Sequence, residues 1–227
     1  MTIVDIEAEG VSKFNQRLHA LPADTADKEW KVINPYGAHA IAVGLTQPLN
    51  VEIEGHVGYY CAGMNKEATI TVGGNVGTGF AENIMSGVAH AKGNASQAAG
   101  ATGHGGTVII DGDASSRCGI SMKGVDIIVG GSVGHMACFL GQAGHLLVCG
   151  DAGAHLGDSL YEAIIYVRGE VESLGSDCIE KKMTQQHLEK IANLLEIANI
   201  DADPKDFRRY GSARNLYNFK IDNAGSY

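Results

Sequence analysis

The chain has 227 residues, 44% of them hydrophobic and 19% charged, which excludes a disordered chain and allows a sizeable buried core. Glycine supplies 31 residues, about twice its usual ~7% share, while only 4 residues are proline, which excludes collagen and a proline-rich linker. A net charge of −9 without a basic stripe excludes a nucleic-acid binder, and no apolar run approaches the ~18–20 residues of a membrane span.

In chain order, TIVDI (2–6) reads as a strand, and residues 11–21 have helical spacing at Phe14, Leu18 and Leu21. AIAVG (40–44) echoes the pattern that follows and fits an irregular first coil. Residues 1–50 are otherwise out of register with that pattern. They read as a small α/β lead-in and docking segment.

From residue 51 a repeat takes over. Gly55, Gly74, Gly93, Gly112, Gly131, Gly150 and Gly169 recur at a spacing of 19 residues. Two positions before each stand Ile53, Val72, Ala91, Ile110, Val129, Val148 and Val167, and two positions after it stand Val or Ala. Alternating apolar residues mark short strands, and 19 residues is too short for a strand–helix–strand crossover. The period suits one coil of a solenoid whose strands stack in register, about 4.8 Å apart. The expectation is an all-β solenoid, a right-handed parallel β-helix of about seven coils over 51–183. The glycine column then needs one repeated cause: a backbone at positive φ, or a corner where a Cβ would strike the neighbouring coil. The third coil, 89–107, is almost wholly small residues; it fits either a thin stretch packed closely by its neighbours or a groove approached by another subunit.

Residues 184–227 read as a capping helix followed by an arm. Leu188, Ile191, Leu194, Leu195 and Ala198 form one apolar helix face, and Thr184 is a candidate N-cap. A solenoid has open ends, and this helix is expected to cover one. The arm carries Phe207, Arg208, Arg209, Tyr210, Tyr217 and Phe219 without a period of its own. These are interface residue types, so the arm is expected to dock a partner and to be dispensable for the fold.

No catalytic, cofactor-binding or metal-binding set emerges. There is no GxxxxGK[ST], no GxGxxG opening a helix, no HExxH and no GxSxG, and GATGHGG (100–106) belongs to the repeat. Nine histidines are scattered, although His135 and His155 fall nearly above one another on neighbouring coils. Cys61, Cys118, Cys138, Cys149 and Cys178 lack CxxC spacing and read as reduced packing residues. With the N-terminus MTIVDIEAEG lacking a signal-peptide layout, they imply a cytoplasmic protein. Asp111, Asp113 and Asp151 border the glycine column and read as corner carboxylates.

The units VEIEGHVG, ITVGGNVG, IIVGGSVG and LLVCGDAG, led by INPYGAHAIAVGL (33–45), resemble the GXGXG domain. That domain is the C-terminal β-helix of the glutamate synthase large subunit and occurs also as the C subunit of formylmethanofuran dehydrogenase. The resemblance covers about residues 33–183. As a free-standing chain of this length, the sequence is most similar to the β-helix subunits of N-methylglutamate synthase. The resemblance implies a non-catalytic scaffold in a hetero-oligomer with an amidotransferase-like subunit and a synthase-like subunit. It places FMN and the iron–sulfur cluster on that synthase-like partner and no cofactor on this chain. It also leaves open another amidotransferase complex or a formylmethanofuran dehydrogenase-type scaffold. A self-sufficient β-helix enzyme is the competing class, but the hexapeptide pattern of β-helical acyltransferases is missing.

Overall fold

Each repeat contributes one short strand with a single apolar face, and that face can be buried only by stacking on the next repeat. The computed structural model, which describes residues 1–216, is the resulting parallel β-helix. Nine strands run parallel in one sheet: β1 (Thr2–Asp5), β2 (Glu29–Ile33), β3 (Asn50–Ile53), β4 (Thr69–Val72), β5 (Val88–Ala91), β6 (Thr107–Ile110), β7 (Lys123–Val129), β8 (Ala143–Val148) and β9 (Ile164–Val167). From β3 to β9 the paired residues advance by 19 at every step: Asn50, Thr69, Val88, Thr107, Asp126, His145, Ile164. The lead-in is out of that register but inside the sheet, since Thr2 pairs with Trp30 and Glu29 with Asn50.

Two further rows of contacts close each coil. At the corner after the strand, Val57, Val76, Ala95, Ala114, Val133, Ala152 and Val171 form a column of single parallel bridges. On the remaining side every second residue is left-handed, as at Tyr60, Ala62 and Met64, or Met136, Cys138 and Leu140. That alternation points successive N–H groups up and down the stack. Tyr60 N–H donates to Thr78 O at 2.9 Å in the coil above, and Ala62 N–H to Ile41 O at 3.1 Å in the coil below. Left-handed backbone is strained for residues with a Cβ, and the inter-coil ladder is what holds it.

The glycine column has its cause in close approach. Among its members only Gly55 has positive φ, at 107°. At the other six positions a Cβ would meet the coil below: at Gly131 it would fall on Asp113 Oδ1 and lie 2.9 Å from Gly112 O. The neighbouring atom comes from the residue that follows the glycine of the previous coil. Asn94 N–H donates to Asn75 Oδ1 (2.9 Å), Asp113 N–H to Asn94 Oδ1 (2.8 Å) and Ser132 N–H to Asp113 Oδ1 (2.7 Å). Asp151 N–H then donates to Ser132 Oγ (2.9 Å) and Glu170 N–H to Asp151 Oδ1 (2.8 Å). His56 Nδ1 starts the ladder by accepting from Asn75 N–H (2.8 Å).

Inside, Ile53, Val72, Ala91, Ile110, Val129, Val148 and Val167 are buried, as is the facing column Cys61, Phe80, Ala99, Cys118, Ala137 and Leu156. The small third coil is packed by larger neighbours. A Cβ at Gly100 would lie 2.5 Å from Ile127 Cδ1, and one at Gly103 2.8 Å from Val125 Cγ1.

The ends differ from the expectation. The first coil is capped by the N-terminal helix α2 (Val11–His19), which follows the single turn α1 (Ile6–Glu9). Phe14 and Leu18 are buried there, Asn15 Nδ2 donates to Ala40 O (2.8 Å), and Ala42 N–H donates to Asn15 Oδ1 (2.9 Å). The C-terminal helix α3 (Gln185–Ala198) does not cap an end. It lies on the outer face of the sheet, with Ile191, Leu194 and Leu195 against Ile109, Ile128, Leu147 and Tyr166. The reason is that β6 to β9 are apolar on both faces, so their outer side also needs cover.

The arm is a strand as well. β11 (Arg208–Ser212) runs antiparallel between β9 and β10 (Cys178–Lys181) and so terminates the parallel stack. Phe207 and Tyr210 are buried within the chain, at 4% and 3% exposure, and cannot anchor a partner. Tyr217 and Phe219 lie outside the described residues.

Gly131→Val places a branched side chain on Asp113 and the Gly112 backbone and is expected to destabilise by about 2–4 kcal/mol in chemical denaturation. Asp113→Ser keeps an acceptor at that rung and is expected to stay within about 1 kcal/mol. Deleting 201–227 removes β11 and leaves one edge of β9 unpaired; the loss of buried Phe207 and Tyr210 alone predicts roughly 3–6 kcal/mol, read as a lower thermal midpoint. An unchanged midpoint would mean that β11 is not part of the fold.

Candidate functional site

The chemically capable side chains divide into three groups by what surrounds them. The thiols come first. All five cysteines are buried and free of disulfides. Removal from water pushes the Cys61 and Cys118 thiols up to about 12 and raises that of Cys138 further. Cys149 is also raised by burial, against the opposing charge of Arg168. Thiols held protonated in this way pack as small apolar groups.

The second group lies under α3. Asp126 and His145 share an outward column of the sheet, and His145 Nδ1 meets Asp126 Oδ1 at 2.8 Å. From the helix, Lys190 Nζ donates to Asp126 Oδ2 at 2.7 Å, and His187 Nδ1 meets the Tyr166 hydroxyl at 2.9 Å. The His145 ring stacks parallel to Tyr166, 6.1 Å between centroids. Burial raises the Asp126 carboxyl, but the hydrogen bonds from His145 and Lys190 and their charges outweigh it and hold the carboxyl low. Burial, with the charges of Arg209 and His145, lowers His187. Burial pushes the Tyr166 hydroxyl up to about 12. Every member either belongs to the sheet or ties the helix to it, so the cluster works as a clasp.

The third group is exposed. Tyr59, Tyr60 and Met64 lie on the turn run of one coil, and Met85 lies on the next, its N–H on Asn65 O at 2.8 Å. These four side chains are between 47% and 55% exposed. His39 stacks on Tyr59 with centroids 4.6 Å apart and accepts the Tyr59 N–H at 2.9 Å. Nearby, the loop Ile33–Gly37 lines a hollow of about 330 Å³ with Glu54, Gly55 and His56. In it Asn34 and Tyr36 are left-handed, Asn34 Nδ2 is tied to Asp5 Oδ2 (3.0 Å), and Tyr36 is 75% exposed.

The remaining expected residues are accounted for by structure. The glycine column sits on the polar ladder. Of the corner carboxylates, Asp113 and Asp151 are rungs, while Asp111 binds His90 Nε2 at 2.6 Å beside Lys92 at 3.6 Å. His135 and His155 do meet, edge to face at 5.2 Å. Arg208 and Arg209 are half-buried and donate to Gly169 O (2.6 Å) and Lys182 O (3.1 Å). The polar ladder escaped the sequence reading, though its signal was present: the residue after each column glycine is polar in every repeat. The Asp126–His145 pair was also legible as one column, whereas His187 and Lys190 join it only through the placement of α3.

Among the described residues no group of three or more His, Cys, Asp or Glu side chains converges as metal ligands would, and no helix is long and apolar enough to cross a membrane. No family model matches the chain. It is 56% identical over 228 aligned positions, spanning 100% of both sequences, to Protein GlxC of Rhizobium meliloti (strain 1021).

The clasp makes a pH prediction. His187 is held below its ordinary 6.5, so the folded state favours the neutral ring. Its contribution is complete above pH 6.5 and is lost as pH falls below that value toward the folded pKa. Asp126, held below 3.8, contributes above that value and loses its contribution only as pH falls through its lower folded pKa. Between pH 7 and 5, His187→Gln is therefore expected to lose less stability than the parent chain in urea titrations. Equal losses would show that the ring is not buried neutral.

Proposed function

The chain belongs to the same family as Protein GlxC, and on that footing we propose that it is a non-catalytic assembly subunit of an N-methylglutamate synthase-type complex. In this reading an amidotransferase-like subunit and a separate FMN- and iron–sulfur-carrying synthase-like subunit do the chemistry, in the cytoplasm. The overall reaction exchanges methylamine for ammonia, giving N-methylglutamate from L-glutamate.

The observation that carries the reading is the exposed set Tyr59, Tyr60, Met64 and Met85 on the first full coils, beside the projecting Tyr36. Aromatic and methionine side chains anchor interfaces, and here they stand on a backbone held by hydrogen bonds to the coils on both sides. A rigid surface loses little entropy on docking. The repeat motif adds the likeness to β-helix scaffolds of amidotransferase complexes. The groups a catalytic reading would use are committed elsewhere: the thiols to packing, Asp126, His145 and His187 to holding α3.

The test is reconstitution. The chain with both partner classes is expected to form a stable complex with methylamine-dependent formation of N-methylglutamate, and the chain alone to form none. Tyr60→Asp with Met64→Asp is expected to lower recovery of the partners at least ~10-fold, with the chain's own thermal midpoint unchanged. Turnover by the isolated chain, or normal assembly of the double variant, would contradict the proposal.

A further inference from the structure

We propose that the C-terminal end of the solenoid carries a binding site for a small oxyanion, a carboxylate or phosphate group, between β10 and β11. The site is distinct from the Tyr/Met surface and does not depend on the assembly role.

Strand pairing brings the cations of this end together. β10 and β11 are antiparallel, and their register sets Lys181 directly opposite Arg209. Residues so paired project from the same face of the sheet, where like charges repel. No compensating carboxylate is at hand: among the described residues neither Lys181, Lys182 nor Arg209 has an acidic partner within ion-pair distance. This holds although the chain as a whole carries 26 acidic against 17 basic residues. The alkyl chain of Lys181 runs close to Gly211, with Cδ 3.5 Å from where a Cβ would stand.

The second observation is the state of the guanidinium. Arg209 uses Nη1 on Lys182 O at 3.1 Å. Its Nε is buried and has no acceptor. Nε and the other Nη form the edge of an arginine fork that takes both oxygens of a carboxylate or phosphate; Nε is covered in the unliganded chain, so an oxygen must displace that cover to reach it, and doing so removes the standing cost of a buried N–H without an acceptor. The third observation is space. A cleft of about 400 Å³ opens here, lined by Lys181, Lys182, Arg208 and Arg209 with Met183 and the single acidic residue Glu180. Arg208 is already engaged, on Gly169 O at 2.6 Å and near Glu170 at 3.6 Å, so Lys181, Lys182 and Arg209 are the ligand-facing cations. The size fits a small organic anion whose body lies along Met183, and one bound oxyanion offsets the repulsion that the strand register imposes.

The test uses the full chain with inorganic phosphate and succinate as separate probes, at ionic strength held constant with sodium chloride. At about ten times the dissociation constant a specific ligand is expected to raise the thermal midpoint by roughly 3–6 °C, with one-to-one binding in calorimetry. Protection by phosphate alone assigns a phosphorylated ligand, by succinate alone a carboxylate, and by both a general oxyanion site. Lys181→Met is expected to abolish the response and yet melt no lower than the parent chain in anion-free buffer, because the like-charge pair is gone. Arg209→Lys keeps the charge but loses the fork and is expected to weaken binding at least ~10-fold. No protection beyond the sodium chloride control, or an undiminished response in both variants, would overturn the proposal.

Discussion

The structure depends on how closely successive coils approach at one corner. There the backbone of each coil lies on the glycine of the coil below, with Gly131 N–H donating to Gly112 O at 2.9 Å and Gly150 N–H to Gly131 O at 2.8 Å. The next side chain, Asn, Asp, Ser or His, accepts an N–H from the coil above. Glycine is required because that acceptor occupies the place of a Cβ. Both parts are local, and neither is stable without the neighbouring coil, so the corner makes the stack cooperative and sets its period.

That constraint accounts for what the rest of the coil tolerates. With the corner and strand ladders in place, the third side can hold alternate left-handed residues such as Ala62, Ala81 and Cys138. Their strain is offset by inter-coil hydrogen bonds, which also make the outer surface of this side rigid. Tyr60 and Met64 project from that surface. A face built in this way is pre-organised by its backbone.

The outer sheet face follows a different rule. Early strands place polar residues, exposed Glu52 and half-buried Thr71, at the position where β6 to β9 place Ile109, Ile128, Leu147 and Tyr166. The apolar half is the half that α3 covers. The helix is tied down by Lys190 on Asp126 and His187 on Tyr166, so the polar groups at its margin fix where the apolar face sits. Grouped histidine, aspartate and tyrosine can resemble an active site, and here they hold one element against another.

The repeat was legible from the sequence because every coil presents the same residue types at the same spacing to an identical neighbour. Gly55 to Gly169, the apolar columns and the period of 19 therefore determined the parallel β-helix without any long-range information. The ends were not legible in the same way, because an end is where the repeating neighbour is missing. The apolar faces of α2 and α3 are similar in kind, and only the folded chain decided that α2 plugs the first coil while α3 lies along the side. The aromatics at 207 and 210 have no period of their own. They became core residues because β11 inserts between β9 and β10, a pairing between distant segments that local spacing does not encode. The same insertion set Lys181 against Arg209. Sequence periodicity thus determined the stack, and tertiary structure decided its ends and its sites, since repeats specify contacts with copies of themselves and nothing else.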